Sequence, residues 1–366
     1  MKIKGKVNDQ RCLGTAPRTF LLIAAAIIVV QFSPIASVYS QSAPLTAKEL
    51  VESTALKAHV EELQNGEIVA LNRQETESSN ELNMIMAVLI PAPLQKTVDT
   101  LNRQSTDDSG PGILAVGEIK GMKPAELDQA FTKVGFEPGE KEEVERLMEI
   151  EPDDAFNFST EEIALIRKRA DKLKGKEKHG KAAIDAMSSA MRDVLKGRYL
   201  SYRKKGPAGL APYQFGPSKQ VTPSAELIAA TEAMRIVQKR YPRYYQCLRY
   251  YPEKSDAGYV HGFYWAKQRE SDRPLFLLKH WILDIQPDYA LITERRFYLS
   301  HSLNDLQVVI GCLPHGDNTL VVLLNQTFTE KVNMSIGKTI AKTIGYREVE
   351  KNIRPIFENL RKALKP

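Results

Sequence analysis

Two histidines set among aromatic residues, His280 and His301, are the side chains of this 366-residue chain best placed to do chemistry. His301 sits between two hydroxyls in Ser300-His301-Ser302. A nucleophile–base pair needs hydroxyl and imidazole within hydrogen-bond reach. Adjacent residues on a strand point to opposite faces, so this triplet is expected not to form one. Gly337-Lys338-Thr339 looks like the end of a phosphate-binding loop, but the upstream glycine position holds Val332, and the segment reads as a helix start. The chain has no H-E-x-x-H, no G-x-S-x-G, no EF-hand loop and no C-x-x-C. No catalytic residue, metal site or cofactor is therefore expected. Asn157, Asn325 and Asn333 open N-x-S/T triplets, a number compatible with chance.

The elements that would position the histidines lie in the last hundred residues. Strand-like runs at Val260 to Lys267, Leu275 to Ile285, Ala290 to Ser302, Leu306 to Leu313 and Thr319 to Phe328 are separated by short turns such as Pro287-Asp288 and Asn304-Asp305. Links this short favour an antiparallel meander over 260–328. Counting by two groups Phe276, Leu278, His280 and Ile282 on one face, and Phe297, Leu299 and His301 on another. Both histidines thus fall among apolar neighbours, close to Tyr264, Trp265, Trp281 and Tyr298. The bland explanation is a core histidine with a hydrogen-bond partner. The functional one is an apolar cavity in which a few polar groups orient a ligand.

Upstream, a helix over Ala47 to Leu63, strands at Glu67 to Leu71, Leu82 to Ile90 and Ile113 to Ile119, and a helix through Leu94, Val98 and Leu101 precede a helical middle, about 122–251. There Ser159 and Glu162 form a capping box, and Ile184, Met187, Met191 and Val194 mark a buried stripe. Residues Lys204 to Pro223 read as a long connection rich in proline and glycine. A last helix over 336–364 closes the chain, and Gly345 and Pro355 are expected to bend or break it.

Composition narrows the compartment. Behind a leader of five basic residues and one acid stands the apolar run Phe20 to Val30, followed by small residues at Val38-Tyr39-Ser40. That is the layout of a cleaved secretory signal, and the run is too short to span a bilayer, which takes ~20 apolar residues. The expected address is exported and periplasmic, with an uncleaved anchor as the alternative. Most of the formal +6 charge leaves with the leader, so nucleic-acid binding is not indicated. Beyond the leader only Cys247 and Cys312 remain, and spacing cannot say whether they bridge. Glu118 to Asp154 holds 12 acids and 5 bases, whereas Glu161 to Lys205 holds 14 bases and 6 acids. These segments are expected to pair with each other; the alternative is that Arg167, Lys168, Lys172, Lys174, Lys176 and Lys178 face anionic lipid headgroups.

Taken together, Phe263-Tyr264-Trp265-Ala266-Lys267, His280, Arg296-Phe297-Tyr298-Leu299-Ser300-His301 and Leu323-Leu324-Asn325 resemble a family of exported bacterial proteins of uncharacterised function. The element order is also similar to the START-related helix-grip (SRPBCC-like) superfamily. That resemblance implies one α+β domain after the leader, with an antiparallel meander wrapped around a long C-terminal helix and a large helical insertion. It further implies a lipid or other hydrophobic small molecule held between sheet and helix, touched by Tyr264, Trp265, His280, Phe297 and His301. The alternative expectation is a structural or adaptor protein of the cell envelope with a filled core and no ligand.

Overall fold

Long strands with alternating large apolar side chains and tight links pair with their sequence neighbours, because a two- or three-residue turn can only reverse the chain. The computed structural model describes residues 45–73, 78–106, 112–152, 155–255, 258–333 and 338–365. Within them run helices α1 (Ala47–Glu52) and α2 (Val60–Gln64), strands β1 (Val69–Arg73) and β2 (Glu81–Ile90), helix α3 (Leu94–Thr106) and strand β3 (Ile113–Glu118). The helical insertion follows: α4 (Pro124–Ala130), α5 (Lys141–Met148), α6 (Thr160–Ala170), α7 (Lys181–Lys205), a small hairpin of β4 (Tyr213–Gln214) and β5 (Gln220–Val221), then α8 (Pro223–Glu232), α9 (Arg235–Arg240) and α10 (Pro242–Arg249). The meander comprises β6 (Val260–Glu270), β7 (Arg273–Gln286), β8 (Tyr289–Leu299), β9 (Asp305–His315) and β10 (Asn318–Phe328), before the terminal helix α11 (Lys338–Ala363). Residues Ser42–Pro366 form one compact unit. The expected export signal lies outside the described residues.

The five meander strands pair antiparallel in sequence order, and the earlier strands extend the sheet at both ends to give β1-β2-β10-β9-β8-β7-β6-β3. The molecule is therefore α+β, as expected. Its eight-stranded sheet is covered on both faces. On one face, Trp281, Leu283, Ile292, Ile310, Val321 and Leu323 pack against α3 and α11. On the other, Phe263, Trp265, Phe276, Leu278, Phe297 and Tyr298 pack against the insertion, and Ile282, Leu291, Val309 and Leu320 against α1, α10 and Met234.

The sequence signals for helix ends operate as expected. Ser159 and Glu162 close the capping box of α6, and Pro124 opens α4. The expected helix over 47–63 is instead two short α-helices joined by a 3-10 turn at Ala55–His59. The terminal helix is unbroken through Pro355. Pro355 is partly exposed while Ile353, Phe357 and Leu360 are buried, so the carbonyl it leaves unbonded lies toward water. Gly117 on edge strand β3 pairs with Trp265, whose indole lies so close that a Cβ at position 117 would meet Nε1 at 2.3 Å. Glycine there is what lets the edge strand cover the tryptophan.

Candidate functional site

The five residues expected to share a ligand cavity separate in space. Trp265, His280 and Phe297 face the insertion, buried to 1 %, 0 % and 0 % exposure. Tyr264, one position from Trp265, packs on the opposite face with the residues under α11. His301 lies beyond the end of β8, in the turn before β9. The expected grouping of Phe297, Leu299 and His301 fails because of a bulge. Leu278 pairs with Tyr298 and Lys279 with Arg296, so β8 carries one extra residue at Phe297. Phe297 and Tyr298 consequently both enter the insertion-side core, while Leu299 turns to the other face.

The insertion fills the space above these residues. The Tyr202 ring from α7 stacks on Phe297 with centroids 3.9 Å apart and planes 6° from parallel. Phe263 stacks on His280 at 4.2 Å. The Trp265 indole donates to the Ala130 carbonyl at 2.8 Å. A fully buried aromatic side chain contributes about 1.5–3 kcal/mol by area, so these rings hold insertion and sheet together.

A line of polar side chains crosses the same face. Cross-strand register puts His280 opposite Arg295, Arg295 opposite Gln307, Gln307 opposite Gln326 and Gln326 opposite Asn83. Exposure is zero for the first four and 3 % for Asn83. Arg295 donates from Nε to Gln307 Oε1 at 2.5 Å, and from Nη2 to Thr231 Oγ1 at 2.9 Å and the Leu248 carbonyl at 2.6 Å. Its guanidinium also acts electrostatically on the nearby Tyr202 hydroxyl. Tyr202 is 2.9 Å from His280 Nδ1, His280 Nε2 is 2.9 Å from His261 Nδ1, and His261 Nε2 is 3.4 Å from the Ser255 carbonyl. Burial lowers the pKa of both imidazoles and so favours the neutral rings. A carbonyl only accepts, so with neutral rings His261 donates to Ser255, His280 to His261 and Tyr202 to His280. Burial, and then His261 and Arg295, push the His280 pKa well below the ordinary histidine value.

Three members of the row keep unbonded atoms: Arg295 Nη1, both amide atoms of Gln326, and Asn83 Oδ1. Among the described residues Arg295 has no ion-pair partner within 4.0 Å. Arg295 acts electrostatically on Asp305, which lies beside Glu226 at the junction of α8 and β9 and has no hydrogen-bond partner on either carboxyl oxygen. Asn80 Nδ2 and Asn304 Nδ2 donate to Glu226 Oε1 at 2.6 and 3.0 Å. Burial and the neighbouring Glu226 raise the Asp305 pKa well above the usual carboxylate value, and burial raises Glu226.

Next to this pair a solvent-open cleft of about 290 Å³ is lined by Asn157, Phe215, Ser302, Asn304, Glu330 and neighbouring residues. Contrary to the strand expectation, a hydroxyl and an imidazole do meet here. His301 Nδ1 lies 2.7 Å from Ser302 Oγ, because Ser302 is in a turn with φ of 73° and not on a strand. His301 Nε2 is 3.2 Å from the Pro274 carbonyl, so Nδ1 is the acceptor and Ser302 the donor. The pair has the hydrogen bond of a nucleophile and its base but not the basicity. Burial, with Arg273 nearby, pushes the His301 pKa down to about 3, far below the neutral range in which a general base works best.

The acidic and basic segments do pair, through Arg167 with Glu151, His179 with Glu145 and Lys196 with Asp128. Lys168, Lys172, Lys174, Lys176 and Lys178 are exposed. Cys247 and Cys312 are free thiols on opposite faces of the sheet. Asn157 is buried with its amide bonded to the Leu299 and Leu303 carbonyls. Sequence reasoning missed Arg295, Gln307, Gln326 and the Glu226–Asp305 pair. The signal was present in the alternation Leu291, Thr293, Arg295, Phe297, where a charged residue stands at a core-facing position. No family model matches this chain, and no curated protein or solved structure matches it significantly.

Proposed function

We propose that this chain is a non-enzymatic protein of the bacterial cell envelope that serves as a structural or adaptor module with a filled core. The observation that carries this reading is the Tyr202 ring lying on Phe297, in the volume where the apolar body of a ligand would rest. Export rests on the leader pattern alone, and the helix-grip relationship on an antiparallel sheet with a long terminal helix across one face. Native mass spectrometry of the chain purified from Ser42 onward tests the proposal. The mass of the polypeptide alone is expected. A lipid that co-purifies in equimolar amount and rebinds after extraction would overturn it.

One observation favours a second reading, the binding of a lipid or other hydrophobic small molecule beneath the insertion. Gln326 is fully buried with neither amide atom bonded, and an unmade buried hydrogen bond costs ~1–3 kcal/mol per group. Gln326 lies opposite Gln307, which meets Thr231 of α8, so the polar group of a ligand beneath the insertion would supply the missing partner. On this reading Trp265, His280 and Phe297 touch the ligand, whereas Tyr264 and His301 do not reach it.

A further inference from the structure

A helix laid on a sheet normally turns its apolar residues inward, and α11 does so with Tyr346, Ile353, Phe357 and Leu360. Its first turns break the rule. Ile340 and Ile344, one turn apart, are 56 % and 49 % exposed. Steps of three and four continue the same outward row through Arg347, Glu348 and Lys351, all exposed, with two cations to one acid. Residues 338–365 hold eight basic and three acidic residues. Of the cations, Arg354 is tied to Glu350, and Lys351 meets Glu348 at 3.4 Å in an exposed pair.

We propose that this outward row of α11 docks the protein on an anionic lipid surface, with Ile340 and Ile344 entering the acyl boundary and Arg347 and Lys351 meeting phosphate headgroups. Amphipathic helices bind interfaces by this division of labour. A second copy of the chain fits poorly. A stable protein interface takes about 800 Å² per partner, far more than two isoleucines supply, and two such basic rows would repel each other. Among the described residues no helix is long and apolar enough to cross a bilayer, so the contact is with the surface. The Lys-rich turn at Lys168 to Lys178 belongs to the insertion, on the far side of the sheet from α11. A flat membrane reaches only one of the two, and of the two only α11 joins a pair of outward isoleucines to its cations.

Co-sedimentation of the Ser42–Pro366 unit with phosphatidylcholine vesicles, with and without phosphatidylglycerol, tests the proposal. Two cations at about 1 kcal/mol each predict at least tenfold more binding to the anionic vesicles, lost at high salt. Ile344→Glu and Arg347→Glu should each lower that binding severalfold without moving the thermal midpoint, and Lys172→Glu should leave it unchanged. Equal binding to both vesicle types, or none, would overturn the proposal. So would loss of binding in Lys172→Glu with Ile344→Glu unaffected. A concentration-dependent dimer that Ile344→Glu abolishes while vesicle binding persists would assign the row to a second copy instead. Should Ile344→Glu melt early, the Arg347→Glu result decides.

Discussion

Replacing Asp305 by Asn should make this protein more stable at alkaline pH, although it deletes a charge near the buried Arg295. Asp305 is fully buried beside Glu226 with neither carboxyl oxygen hydrogen-bonded, so burial and the neighbouring acid both disfavour its ionised form. Its raised pKa means that the folded state holds a proton that the unfolded chain gives up near the ordinary carboxylate value of about 3.9. The stability contribution is therefore fully present below that pH and is lost as pH rises through the folded pKa. Each tenfold change in acidity between the folded and unfolded states is worth about 1.4 kcal/mol. Burial weakens the acid, and the nearby Arg295 offsets part of that. An unsatisfied buried polar group costs ~1–3 kcal/mol, and a gain of that order is expected for Asp305→Asn at pH 8, shrinking to near zero at pH 4. The amide is the same shape and donates to Glu226 with no proton required. Urea melts of both proteins at a series of pH values measure the difference directly, and the neutral buried histidines cancel between them. A variant less stable than the parent at pH 8, or one offset equally at pH 4 and pH 8, would show instead that Asp305 is the ionised counter-charge that Arg295 requires.

Phe297→Trp should overpack the stack on Tyr202 and cost roughly 1–3 kcal/mol by chemical melting, with no binding of an apolar dye to lose; a stable variant of a dye-binding parent would favour the carrier reading. Tyr202→Phe removes the hydroxyl that donates to His280 and leaves the buried Nδ1 without a partner, at about 1–3 kcal/mol; stability equal to the parent would dissolve the directional chain. Ser302 should resist a fluorophosphonate probe at neutral pH, because His301 is too weak a base to activate it, and a labelled Ser302 peptide would reopen the enzymatic reading. For Cys247 and Cys312, burial pushes the thiols up to about 11 and about 12. Reductant should therefore leave the melting temperature of the Ser42–Pro366 unit unchanged, with both thiols alkylated only after denaturation. A reductant-sensitive melt would contradict the separation of the two cysteines by the sheet.

Local rules were enough for the elements. Alternation and short turns marked all five meander strands to within a few residues, and the Ser159–Glu162 capping box marked the start of α6, because these signals act between neighbours in the chain. The apolar surroundings of His280 were equally legible, since a strand with period two carries them in its own sequence. The assignment of faces was not. Nothing in the spacing of β8 announces a bulge at Phe297, as an extra residue is defined only against the partner strand β7. The same one-residue shift, together with the turn at Ser302, undid the expected grouping of Phe297 with His301 and made the Ser–His contact that strand geometry forbids. Pattern also could not say which helices cover which face, so the terminal helix was expected over residues that the insertion in fact covers. The polar row is the extreme case. Asn83, His280, Arg295, Gln307 and Gln326 lie up to 243 positions apart and are unremarkable one at a time. Only the register of five strands aligns them, because hydrogen-bonded pairing fixes side-chain neighbours across the sheet that no local interaction encodes.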